Sequence, residues 1–116
     1  MNSIEQVFHY QNRRVRVVQI DGELWFAAAD VCAVLGLGNP SQAVSTLDED
    51  ERCLITNEAW RNNGDMQAVS EPGLYSLVLR SRRPEAKSFR RWITHEVIPA
   101  LRSAGSYSLT VPAATG

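Results

Sequence analysis

The side chains with the clearest chemical potential are the basic residues Arg80, Arg82, Arg83, Lys87, Arg90, Arg91 and Arg102. Only Glu85 and Glu96 oppose these seven cations, so residues 80–102 carry +5 in a 116-residue chain whose net charge is −1. The matching chemistry is anion binding, because a near-neutral protein that sorts its charge this way presents a cationic face to something negative. Arginine outnumbers lysine here, and its planar fork suits phosphate oxygens or a guanine edge. Arg80, Arg82, Arg83, Lys87, Arg90 and Arg91 are therefore the candidate nucleic-acid-binding residues, expected to meet phosphates. Ser41 and Gln42 are secondary candidates for backbone or base contacts, although exposed polar residues need no such role.

Catalytic chemistry finds no comparable pattern. His9 and His95 lack ligand-spaced partners, and the acidic run 48–51 lacks the spacing of a calcium loop. Ser76 and Ser81 have no neighbouring base, and the glycines are too scattered to cradle a phosphate. The sequence predicts no enzyme, no catalytic residues, no metal site and no cofactor.

Two helical patterns must position the cations. Residues 71–73 (Glu-Pro-Gly) read as a turn, and residues 73–80 as a helix with Leu74, Leu77 and Val78 on one face. Ser81-Arg82-Arg83-Pro84 is a second turn, with Pro84 starting a longer helix and Glu85 placed against its N-terminal dipole. On that helix Ala86, Phe89, Trp92, Ile93, Val97 and Ala100 share the predicted core face, while Lys87, Arg90, Arg91 and Arg102 fall opposite. A helix, a short turn and a basic helix give the outline of a helix-turn-helix. Pro99 predicts a kink, or a break near Ile98 with a new short helix, since interior proline removes a hydrogen bond and clashes one turn back. Gly105 is the predicted C-cap.

Upstream, the first third of the chain reads as β structure, with Val15 and Val17 alternating with Arg14 and Arg16, and Asp21-Gly22 between apolar runs is a strong hairpin signal. A helix is predicted over 28–36, stopped by Gly36. A second runs from Pro40 to about Leu47, capped by Asn39. Residues 48–51 are an acidic turn, 52–56 a strand, 62–65 a loop tip and 66–69 a returning strand. The expected fold is a small single α+β domain: an N-terminal antiparallel hairpin or sheet, short helices and a C-terminal basic helical pair. A linker or disordered tail is expected over 108–116. Trp25 and Trp92 are predicted core residues, and Trp60 is predicted to be partly exposed.

Residues 1–58 hold four basic residues against nine acidic, and residues 59–116 hold eight against four. The pI near 6.1 argues against coating nucleic acid by bulk charge, but the split leaves the second half cationic. Cys32 and Cys53 fit no metal or redox spacing and sit beside apolar residues, so they read as reduced core thiols of an intracellular protein. No apolar signal core opens the chain, and the longest apolar run, residues 24–29, is far short of a membrane span.

The sequence also resembles the Bro-N family. The resemblance rests on Trp25-Phe26, Asp30-Val31-Cys32, Leu35-Gly36, Asn39-Pro40 and Leu47. It continues through Glu71-Pro72-Gly73-Leu74-Tyr75 and Ser81-Arg82-Arg83-Pro84-Glu85-Ala86-Lys87. Phe89, Trp92, Glu96-Val97, Pro99, Arg102, Gly105 and Tyr107 complete the ordered set. It covers residues 8–107, and the Bro-N-like domain is placed at 1–107. Bro-N domains form the N-terminal part of phage and prophage antirepressors and of the BRO proteins of large insect DNA viruses. The resemblance implies a small DNA-binding regulatory module with double-stranded DNA as partner, acting in the cytoplasm of a bacterial host where prophage-encoded. It also implies a role in switching prophage genes by engaging a repressor. The alternative is a protein-interaction module that binds a repressor or self-associates as a homo-oligomer without DNA. In the family a different C-terminal domain usually follows, so the chain is either a piece of a longer protein or a short member.

Overall fold

The computed structural model describes residues 3–55 and 66–104. Five strands form one antiparallel sheet: β1 (Ser3–Tyr10), β2 (Arg13–Ile20), β3 (Glu23–Ala27), β4 (Arg52–Ile55) and β5 (Met66–Ser70), in the order β1-β2-β3-β5-β4. Two tight turns set the register of the first three. Gln11 and Asn12 both adopt positive φ, as do Asp21 and Gly22, so each hairpin closes on a two-residue turn whose twist matches its strands. The Asp21-Gly22 turn is the one the sequence predicts. The Gln11-Asn12 turn, and with it β1, carries no glycine to announce it.

The helices are α1 (Ala28–Leu35), α2 (Pro40–Ser45), α3 (Glu71–Arg80), α4 (Glu85–Trp92) and α5 (Ile98–Ala104). A 3-10 turn, Glu49–Glu51, precedes β4, and a π-helical turn, Ile93–Val97, joins α4 to α5. Side chains alternate across the sheet. Val15, Val17, Phe26 and Val69 face the helices and pack with Val31, Leu35, Leu74, Leu77 and Phe89. Val18, Ala27, Ile55, Met66 and Ala68 form a second cluster, against which Trp25 and Cys53 pack half-buried. The expected α+β class is the observed one.

At Arg16 the polar alternation of β2 has an internal purpose. The ladder between β2 and β3 ends at Val17↔Phe26, because the chain then turns into α1. Asp30, in the first turn of α1, completes the edge: its Oδ2 accepts the Arg16 backbone N–H at 2.8 Å and Nε at 2.9 Å, while Oδ1 accepts from the guanidinium at 3.1 Å. Both residues are buried, and each ionic group is matched by the other's hydrogen bonds, which is the condition under which a buried pair is tolerated.

Several boundaries differ from expectation. The Glu71-Pro72-Gly73 turn is the first turn of α3: Ser70 is its N-cap, with Oγ accepting the Gly73 N–H, and proline fits where no helical N–H partner is needed. Helix α2 ends at Ser45, with Thr46 as its cap. The expected features at Thr56, Trp60, residues 62–65, Gly105 and the tail lie outside the described residues.

The irregularity expected at Pro99 takes the form of a π turn, after which the short helix α5 begins at Ile98. The Ile98 N–H reaches back five residues to Ile93 O, and the backbone stays helical through Ile98. A widened turn accommodates a residue that has no N–H to give and crowds the preceding turn. The extra residue also shifts the buried face. Ala86, Phe89, Ile93 and Val97 are buried as predicted, but the next core positions are Ile98 and Leu101, and Ala100 is exposed. Thr94 Oγ1 donates to the carbonyls of Arg90 and Arg91, so side chains serve acceptors at the point where the helical ladder changes step.

Candidate nucleic-acid interface

An aromatic cluster sets the orientation of the basic helix. Phe89 and Trp92 of α4 stack with ring centroids 5.9 Å apart, and Tyr10 of β1 meets them at 5.3 and 5.0 Å. Phe8 adds an edge contact to Trp92 at 6.3 Å. Each such pair contributes about 0.5–1.5 kcal/mol beyond its buried area. With Phe89 turned inward, the 100° step of the helix directs Lys87, Arg90 and Arg91 to solvent, and all three are exposed.

The six candidate cations divide by environment. Arg80, at the end of α3, donates from a guanidinium nitrogen to Thr46 Oγ1 at 2.7 Å, tying α3 to the end of α2. Arg82 is exposed in the connecting turn. Arg83 lies over the C-terminus of α1: it donates to Val34 O at 3.4 Å and forms a long ion pair with Glu85 at 3.9 Å. Ser81 supports the same joint, its Oγ donating to Leu35 O at 2.7 Å and accepting from the Arg83 backbone N–H.

Arg83, Lys87 and Arg90 line one groove between α3 and α4, of about 560 Å³. Arg90 also lies over the ring of Tyr75, 5.6 Å from its centroid. Arg91 lines a separate depression with Tyr10, Trp92, His95 and the carboxylate of Glu96. The structure thus brings Arg83, Lys87 and Arg90 together in one groove, while Arg80 is held against Thr46, Arg82 is in the turn and Arg91 lines a separate depression. Among the described residues the ion pairs are Arg16–Asp30 and Arg83–Glu85, so Arg80, Arg82, Lys87, Arg90 and Arg91 are in no described ion pair, although Glu96 lines the depression of Arg91.

Arg102 departs from the predicted arc. Beyond the π turn it lines a different cleft, with Glu23, Asp48, Asp50, Glu51 and Glu71. Ser41 and Gln42 are both exposed. Ser41 makes a long hydrogen bond to Gln67, and the Gln42 backbone N–H is used by the Asn39 cap.

The ionisation of Tyr75 is strongly displaced. Burial, followed by the hydrogen bond from its hydroxyl to Glu71 and the charge of that carboxylate, pushes it up to about 12, against the opposing pull of Arg90 and Arg102. Burial also raises the Cys32 and Cys53 thiols, with Arg80 opposing at Cys32, so neither is an activated nucleophile. Among the described residues no cluster of His, Cys, Asp or Glu is arranged to hold a metal ion, and no helix is long and apolar enough to cross a membrane.

A five-stranded antiparallel sheet packed with helices, among them α3 and the basic α4 joined by a short turn, defines a small α+β domain. Residues 14–99 match the BRO family, N-terminal domain, and the chain belongs to this Bro-N family. It is 35% identical over 106 residues to an uncharacterized protein of Haemophilus influenzae, covering 88% of this chain and 52% of that protein. It is 31% identical over 121 residues to a protein of Invertebrate iridescent virus 6 named for its Bro-N domain, covering 88% and 29%. An uncharacterized Bro-N domain-containing protein of Acanthamoeba polyphaga mimivirus is 28% identical over 121 residues, covering 89% and 49%. The chain therefore spans about half or less of the length of these relatives. No solved structure matches it.

Proposed function

We propose that this domain is the DNA-binding module of a phage or prophage antirepressor-like regulator, and that it holds duplex DNA through the basic surface of α3, the 81–84 turn and α4. Family membership supports a regulatory role. The observation that carries the DNA reading is the set of exposed cations Arg80, Arg82, Lys87, Arg90 and Arg91, none paired with a described carboxylate. Leaving them unpaired in the free protein makes them available to phosphates without first breaking an ion pair. Arg83 has a double role in this reading, bracing α1 while presenting charge to the same face.

Phosphate contacts fix position and carry little sequence information. The charge reversal Arg90→Glu with Arg91→Glu is therefore expected to weaken binding to unrelated duplexes alike. Unchanged binding by the double variant in a gel-shift titration would refute the helix-face reading.

A further inference from the structure

The groove between α3 and α4 has a feature that phosphate binding does not use. Leu79, on the last turn of α3, is 86% exposed, the most exposed of the large hydrophobic side chains described. It lines the groove with Val78 and Pro84, while Arg83, Lys87 and Arg90 stand around this apolar surface. Among the described residues no carboxylate lines the groove. Its volume, about 560 Å³, falls in the range of pockets that bury side chains or small ligands, roughly 300–1,000 Å³.

A DNA backbone rewards the cations of such a groove but leaves the leucine in water. A helix with leucines on one face and glutamates along its flanks satisfies both, placing apolar side chains against Val78 and Leu79 and carboxylates beside Lys87 and Arg90. We infer that this groove is a docking site for an acidic amphipathic helix of a partner protein, with Leu79 as the apolar anchor and Lys87 and Arg90 as its charged rim. The partner and DNA then exclude one another because they use the same cations. That exclusion, unlike the docking itself, rests on the DNA reading above.

The test uses the intact chain and two labelled probes in fluorescence anisotropy. One is a synthetic peptide with leucines recurring at i, i+4 and i+7 and glutamates on the remaining faces; the other is a random duplex. The wild-type chain should bind the peptide saturably, and unlabelled peptide should release the duplex. Leu79→Ser, a substitution at an exposed position, should weaken the peptide about tenfold or more while leaving the duplex within about twofold. Lys87→Glu with Arg90→Glu should weaken both. No saturable peptide binding, or a Leu79→Ser chain that binds peptide as before, overturns the proposal. Loss of duplex binding by Leu79→Ser without any peptide binding makes Leu79 a DNA contact and overturns it as well. Peptide binding by a chain that ignores the duplex upholds the docking site and removes the DNA reading.

Discussion

Arg83 lies directly across Gly36, its guanidinium filling the space a side chain at that position would take. Gly36 ends α1 in the left-handed conformation, φ 74°, which lets the Gly36 and Leu37 N–H groups turn back to Cys32 O. Arg83 then covers the helix end and reaches Val34 O. Gly36→Ala therefore meets two penalties. The left-handed backbone costs about 1–2 kcal/mol for a residue with a Cβ, and the guanidinium must move. Thermal unfolding should show the lower stability, and Arg83→Ala should remove the steric part of the penalty.

The buried pair of Arg16 and Asp30 predicts a large asymmetry between single and paired substitutions. Asp30→Ala leaves a buried guanidinium and a strand N–H without their acceptor, and should cost about 3–5 kcal/mol in urea unfolding. Arg16→Met with Asp30→Leu should cost less, because it removes both charges together and leaves only the strand N–H without its acceptor. Equal losses for the single and paired changes would show that the ion pair is not what the site depends on.

The shift of register at the π turn can be tested at adjacent residues. Leu101 is buried and Ala100 exposed, the reverse of what an uninterrupted α-helix places on the core face. Leu101→Ala should cost about 2–5 kcal/mol, whereas Ala100→Gln should stay within about 0.5 kcal/mol. Denaturant melts of the two variants distinguish the shifted register from a straight one.

Tyr75 gives the pH dependence. Its pKa rises from 10 to about 12, chiefly through burial and then through Glu71. The fold holds the neutral phenol, so this contribution to stability is complete below pH 10 and is lost as pH rises through about 12. Tyrosinate absorbance, taken as the difference between the wild type and Tyr75→Phe, should report the late ionisation. Glu71→Gln should lower that pKa by removing the carboxylate acceptor and its charge, without restoring the ordinary value, because burial remains.

These positions also show how far the sequence could be read. Asp21-Gly22 is legible because glycine declares a positive φ; Gln11-Asn12 makes an equivalent turn from residues that declare it weakly, so the boundary between β1 and β2 is not announced. The inward face of α4 followed from periodicity as far as Val97. Beyond it, one inserted residue broke the period that the prediction of Ala100 and Arg102 relied on. Arg16 and Asp30 are 14 residues apart, and nothing local joins a strand arginine to a helix aspartate. The cations of the arc were visible as charge, but the bracing of Arg80 by Thr46 and of Arg83 by the end of α1 depends on how three helices pack.

The most direct test of the basic surface is fluorescence anisotropy of the intact chain with a labelled random duplex across a salt series. If the surface engages about five phosphates, log affinity should fall linearly with log salt at a slope of about −4 to −5. The slope should become shallower in Arg90→Glu with Arg91→Glu. No binding even at low salt, or an affinity indifferent to salt, would contradict a phosphate-binding surface on α3 and α4.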